Sequence, residues 1–251
     1  MDRLIYTAYS GMNGSMLRER VIASNMANAQ TIGFRAEMLS AVPVTLKGPA
    51  LEARAMTEGY VQAASMKQGT TVPTGNPLDV ALSGTTMLSV QAEDGSEAYT
   101  RRGDLSVSAD GVLQNGDGRP VIGDGGPVTV PPGGTVTIGP DGTVLVGDPQ
   151  NPTTPPQPVA RLKLVSVEGS RVGKGLDGLF HVTGADGGAG ALPQDEEARL
   201  TPGALEQSNV DPTRIIVDMV EAQRLFEMRT HVVATAREVD EKSASLMRLN
   251  T

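Results

Sequence analysis

Histidine is the first side chain to weigh for chemistry, because imidazole titrates near neutral pH. His181 and His231 are the only two in 251 residues; His181 falls in an alternating, strand-like run and His231 in a helical one. With no cysteine in the chain, neither meets the clustered ligands of a zinc site, and no Ser-His or Cys-His arrangement occurs. The run "GKGLDG" at 173–178 matches G-x-G-x-x-G, but a dinucleotide loop needs a helix after it. Here the strand-like "LFHVTG" follows, so the run reads as a β-turn. Asp110, Asp117 and Asp124 offer carboxylates to calcium without the twelve-residue loop and its closing Glu; turn chemistry explains them. The "NGS" at 13–15 lies inside a helical pattern, where a glycosylation match is coincidental. Glu221–Arg224, Arg237–Glu241 and Glu238–Lys242 are helix-spaced pairs worth a few tenths of a kcal/mol each. The expectation is a protein that is not an enzyme, with no cofactor, no metal and no small-molecule substrate.

Composition narrows the partners. The net charge is −8, of which −7 falls on residues 41–204, and there is no basic patch. That argues against nucleic acid and against an anionic membrane surface. No apolar run reaches the 18 or so residues of a membrane helix, so direct membrane insertion is not expected. "MDRLIYTAYSGM" lacks the apolar core and cleavage box of a secretory leader, so no cleavable signal peptide is expected. Aromatics make up 3% with no Trp, which predicts a thin core. The missing cysteines exclude disulfides and thiolate metal sites.

The elements separate into zones. Residues 3–30 carry Ile5, Tyr9, Met12, Met16, Ala23 and Met26 at helical spacing, weakened at Gly11 and Gly14 by roughly 1 kcal/mol each. Residues 40–77 are polar and Gly-rich, and read as extended chain with room for a hairpin. Residues 78–200 alternate apolar and polar types between Asp-Gly pairs at 94–95, 110–111, 117–118, 124–125, 141–142, 177–178 and 186–187. Asp-Gly suits turns that need positive φ. The Pro-rich stretch 147–158 reads as a surface loop. Residues 205–251 are helical again, with Asn209 or Asp211 as cap and Pro212 at a tolerated first position. Two rows recur there every seven residues: Leu225, Val232, Val239 and Leu246, and Met219, Phe226, Val233 and Met247, the second broken by Asp240. Such a period predicts a coiled-coil-type seam; a single amphipathic helix on its own β domain is the plainer alternative.

Asn25 and Asn28 stand one turn apart where a purely core-facing helix would use Leu or Ala. Two readings remain open: the amides set register against a neighbouring helix, or they cap and fray the helix before Gly33. The expected fold is α+β, with terminal helices packed together as a coiled-coil-type assembly domain flanking a central all-β domain. Its parts are an N-terminal assembly helix over 1–38, an extended connecting segment over 39–77, a β domain over 78–200 and a C-terminal helix over 201–251. Both stripes are too long to leave in water and too weak to stand alone, as in a subunit of an open assembly.

Three blocks carry a family resemblance. "SNMANAQTIGFR", "GNPLDVALSG" with "EAYTRRGDLSVSADGVLQNGDGRPVIG", and "GALEQSNVDPTRIIVDMVEAQRLFEM" together resemble the flagellar basal-body rod proteins of the rod/hook group. "MDRLIYTA" resembles the proximal-rod branch more than the distal one. Two departures stand out: Ser24, where the signature often has Asn, and Gly84-Thr85-Thr86-Met87-Leu88 in place of G-D-G-F-F, which questions the packing of that strand. The resemblance implies a structural subunit, exported unfolded by the flagellar type III apparatus and assembled with copies of itself and other rod proteins into a hollow, torque-transmitting tube in the periplasm. The rivals are a distal-rod subunit and, outside the family, a discrete coiled-coil adaptor. The assembly-interface candidates are Met12, Met16, Met26, Met219, Phe226, Val233, Leu246 and Met247, with Asn25 and Asn28 as register-setting residues.

Overall fold

The computed structural model describes residues 2–45, 55–148, 154–183 and 189–249. Helix α1 is Asp2–Ala27 and helix α2 is Pro212–Leu249. The fold is mixed, with these two helices bracketing a β-rich centre. Contact density separates two compact units: Met1–Ala27 with Glu37–Gln62 and Asp211–Thr251, and Asn28–Ala36 with Ala63–Val210.

Local chemistry sets the helix ends. α1 stops at Ala27, short of the expected residue 30, because Asn28 closes a turn. Its carbonyl accepts Thr31 N–H at 3.1 Å and its Oδ1 accepts Thr31 Oγ1–H at 3.1 Å. At the head of α2, Asp211 is the cap: its Oδ1 accepts the N–H groups of Thr213 at 2.9 Å and Arg214 at 3.3 Å. Pro212 costs nothing there, since a first-turn N–H has no helical partner. Residues 204–206, expected to be helical, are strand instead. Ala204, Leu205 and Glu206 are all buried, a two-sided burial that suits a strand between layers and not an amphipathic helix start.

In the first unit, strand Glu37–Thr45 pairs with strand Ala55–Ala64, whose last two residues belong to the second unit. In the second, the largest sheet runs in the order Leu164–Ser166, Thr86–Gln91, Glu97–Thr100, Phe180–Thr183 and Val172–Lys174, with Ala189–Gly190 on Phe180–Thr183. Two short antiparallel pairs tie distant sequence together: Val80–Leu82 with Leu200–Pro202, and Thr71–Pro73 with Ala204–Glu206. A three-stranded sheet holds Thr135–Ile138, Thr143–Gly147 and Gln157–Arg161. The last of these overlaps the expected Pro-rich loop. It is tolerated because Pro158 lies on an edge strand, opposite Leu145 where the register shifts.

Strand Thr86–Gln91 is buried on both faces. Leu88 and Val90 enter a large aliphatic cluster with Val80, Leu82, Leu113 and Val121, while Met87 enters a smaller one with Tyr99, Val165 and Phe180. The departure at 84–88 therefore leaves the strand fully packed. Both clusters are mainly aliphatic, with Tyr99 and Phe180 as the aromatic members of the smaller one. Turn glycines at Gly95, Gly111, Gly118, Gly142 and Gly178 adopt positive φ as their Asp-Gly pairs predict; at 124–125 it is the next residue, Gly126, that does so. The pair at 186–187 lies outside the described residues. The "GKGLDG" run is the turn of the hairpin Val172–Lys174 with Phe180–Thr183.

Tyr99 is fully buried, and its Oη accepts Leu192 N–H at 2.7 Å. Burial pushes its phenol up to about 12 from an ordinary 10.0. The folded state holds this proton more tightly than the unfolded one, so the associated stability is intact below pH 10 and is lost as pH rises through 12. Tyr99→Phe should cost about 1–3 kcal/mol at pH 8, because Leu192 N–H is left buried without an acceptor. Urea unfolding at pH 8 and pH 11.5 checks this: the gap between parent and variant should shrink at the higher pH.

Candidate assembly interface

α1 and α2 pack against each other within the first unit. The covered side of α2 follows a row of period seven, Ile215, Ala222, Arg229 and Ala236. Ala222 and Ala236 keep this side flat, and Arg229 is its polar anchor. The Arg229 guanidinium donates to the Gly11 carbonyl and to Ser15 Oγ at 2.6 Å, across Gly11 and Gly14. The two glycines that weaken α1 thus line the seat of an arginine.

A second flank of α2, about 120° around the helix from the first, is apolar too. Val217, Val220, Met228, Val232 and Val239 share one side at the 3.6-residue period, between 44% and 63% exposed, and Ile216 adjoins them. On α1, Tyr9, Met16 and Met26 are exposed. A helix apolar on two flanks has more surface to bury than one partner helix covers.

The apolar candidates fall in three groups. Met16 and Met26 are exposed at 52% and 42%, and Met12, Met219, Phe226 and Val233 are half-buried. The side chains of Leu246 and Met247 lie outside the described ones. Of the first row, Val232 and Val239 are exposed and Leu225 is half-buried. Asn25 is buried, and both ends of its amide are used inside the chain: Nδ2 donates to the Glu37 carbonyl at 3.0 Å, and Oδ1 accepts Glu37 N–H at 2.8 Å. It ties the start of strand Glu37–Thr45 to α1 instead of presenting a free amide. Asn28 lies past the helix end, in the turn with Thr31.

The second unit contains a cluster that composition alone did not reveal. Glu206 Oε1 takes Arg35 Nη2 at 2.8 Å and Gly69 N–H at 2.8 Å. Its Oε2 takes Arg101 Nε at 2.9 Å and Arg101 Nη2. All three side chains are buried. Two cations share one anion, so further guanidinium protons turn to backbone carbonyls, while Arg35 Nε is buried without a hydrogen-bond partner. Arg101 donates to Leu82 at 2.7 Å, Gly84 at 3.0 Å and Thr86, and Arg35 to Lys67. Burial, then the charge of Arg101, holds Arg35 down at about 10 against the pull of Glu206. Burial likewise lowers Arg101.

Beside it, Asn209 links three stretches. Its Oδ1 accepts Ala36 N–H at 2.7 Å, and its Nδ2 donates to the carbonyls of Ser65 at 3.0 Å and Lys67 at 2.8 Å. Backbone bonds run from Gly33 N–H to Glu206 O at 2.8 Å and from Asn209 N–H to Phe34 O at 3.3 Å. Gly33 has φ +68°, and a Cβ there would lie 2.4 Å from the Arg101 carbonyl. Lys174 Nζ sits 3.6 Å above the Phe34 ring. The cluster joins residues from "TIGFR", "YTRRGD" and "ALEQSN". It holds these chain segments together. The available signal was an arginine or glutamate inside short runs that otherwise alternate as strands.

Residues 201–246 match the family described as flagellar basal body rod FlgEFG protein C-terminal, and residues 81–146 match the flagellar hook protein FlgE/F/G D1 domain. The flagellar basal-body rod protein FlgF of Salmonella typhimurium is 40% identical over 253 residues, covering 100% of both chains. That of Escherichia coli K12 is 38% identical over 238 residues and 94% of each. The flagellar basal-body rod protein FlgG of Caulobacter vibrioides is 32% identical over 264 residues, 96% of this chain and 97% of the relative. The chain belongs to the flagellar basal-body rod protein family and is a FlgF-like structural rod subunit.

Proposed function

We propose that the chain builds the proximal part of the rod, as a subunit of a hollow helical tube that carries motor torque, with copies of itself and other rod proteins as neighbours. It reaches the periplasmic space unfolded, through the flagellar type III export apparatus. The observation that carries this reading is the uncovered apolar flank of α2, Val217, Val220, Met228, Val232 and Val239, on a helix whose other side already meets α1. Neighbouring helices cover that flank through coiled-coil-type seams, with Met16 and Met26 on the outward surface and Met12, Met219, Phe226 and Val233 at its margins. Leu246 and Met247 extend the seam. Burial on docking offsets the ordering of the helices, of order 1–2 kcal/mol per backbone residue.

The test places charge on the flank. Val220→Asp with Val232→Asp leaves the side facing α1 unaltered, so export should persist. Soft-agar motility should be lost, and the subunit in purified basal bodies should fall at least about tenfold, since each unpaired buried carboxylate costs several kcal/mol. Basal bodies containing the double variant at parental levels would defeat the reading.

A further inference from the structure

The Glu206 cluster lies on two segments that lead, along the chain, to the two helices. Asn28–Ala36 follows α1 directly, and Ala204–Val210 precedes α2. Arg35–Glu206, the Asn209 amide and two backbone bonds hold these segments together. With the β region unfolded, pairing α1 with α2 closes a loop of about 185 residues; with it folded and the segments held, the route is about 12 residues. Closure probability scales as the −3/2 power of length, so folding the β region with the segments held raises the pairing constant about 60-fold.

The side-chain holding contacts also engage the β region. Glu206 Oε1 also takes Gly69 N–H, and Oε2 takes Arg101, which the carbonyls of Leu82, Gly84 and Thr86 fix. Asn209 needs Ser65 and Lys67. The helices contribute little unaided: α1 carries Gly11 and Gly14, and two of the most buried residues of α2 are Ala222 and Ala236. We infer that this buried cluster is a folding-order latch, which makes pairing of α1 with α2 in the free chain conditional on a folded β region. The latch goes beyond the rod reading and does not depend on it.

The absence of cysteine lets spin labels be placed at will, at Asn13→Cys and His231→Cys, both exposed. Electron–electron distance measurements on the full chain, along a urea series in which paired and unpaired populations coexist, give the pairing constant. Arg35→Met with Asn209→Ala frees residues 28–63 from a β region that Tyr99 reports as still folded, so the route grows to about 42 residues and the constant should fall by up to about sixfold. Inserting twelve Gly/Ser residues after Val210 doubles the route without touching the cluster and should lower it about threefold. The insertion decides the matter if the double variant loses its fold. An unchanged pairing constant in the insertion variant, or in a folded double variant, overturns the latch.

Discussion

Replacing Glu206 by Gln should cost about 3–5 kcal/mol of stability in the β region, read as a lowered urea midpoint. Gln keeps the size and removes the anion, so Arg35 and Arg101 are left buried without a counter-charge. Whichever way its amide points, its NH2 meets a guanidinium or Gly69 N–H. An apolar triple replacement, Arg35→Met, Arg101→Met and Glu206→Met, should recover only part of the loss. Buried ion pairs often exchange for apolar packing at little cost. Arg101, however, also satisfies the carbonyls of Leu82, Gly84 and Thr86, and methionine cannot. Full recovery would show that the carbonyl bonds contribute nothing. A loss below about 1 kcal/mol in the single variant would show that the charges are not desolvated as the geometry requires.

Gly33→Ala should cost about 3 kcal/mol or more, from two separable causes. At φ +68° any side chain incurs about 1–2 kcal/mol. The added Cβ would also lie 2.4 Å from the Arg101 carbonyl and 2.6 Å from Arg102 N, both backbone atoms that no rotamer change moves aside. Gly75→Ala supplies the control, because φ there is +76° and nothing lies within 4 Å. It should show the conformational cost alone, about 1–2 kcal/mol. Equal losses at the two positions would mean that the backbone of Arg101 yields to the intruding methyl.

Periodicity exposed the terminal helices, the alternating centre and most Asp-Gly turns, because each is a local signal: a period, a cap, a positive φ. The same signals went astray where non-local pairing overrode them. Ala204-Leu205-Glu206 reads as the approach to a helix until Thr71–Pro73 lies alongside it and makes it a strand. Asn25 reads as a register amide until its bonds to Glu37 are seen. The two rows of α2 were legible as apolar, but sequence alone did not rank them. Val232 and Val239 prove to face outward, and the covered row runs through Ala222 and Arg229, whose types hide it. The Arg35–Glu206–Arg101 cluster was invisible for the same reason: its members are far apart in sequence, and single charged residues look like surface.

The two segments at that cluster also define a load path. A pull on either helix away from the β region travels along Asn28–Ala36 or Ala204–Val210 and meets Arg35–Glu206 and the Asn209 bonds before it reaches a core strand. Because the segments are bonded to each other as well as to the sheet, force on one is shared with the other. Mechanical rupture would then begin at a charged bracket, with the aliphatic core still intact behind it.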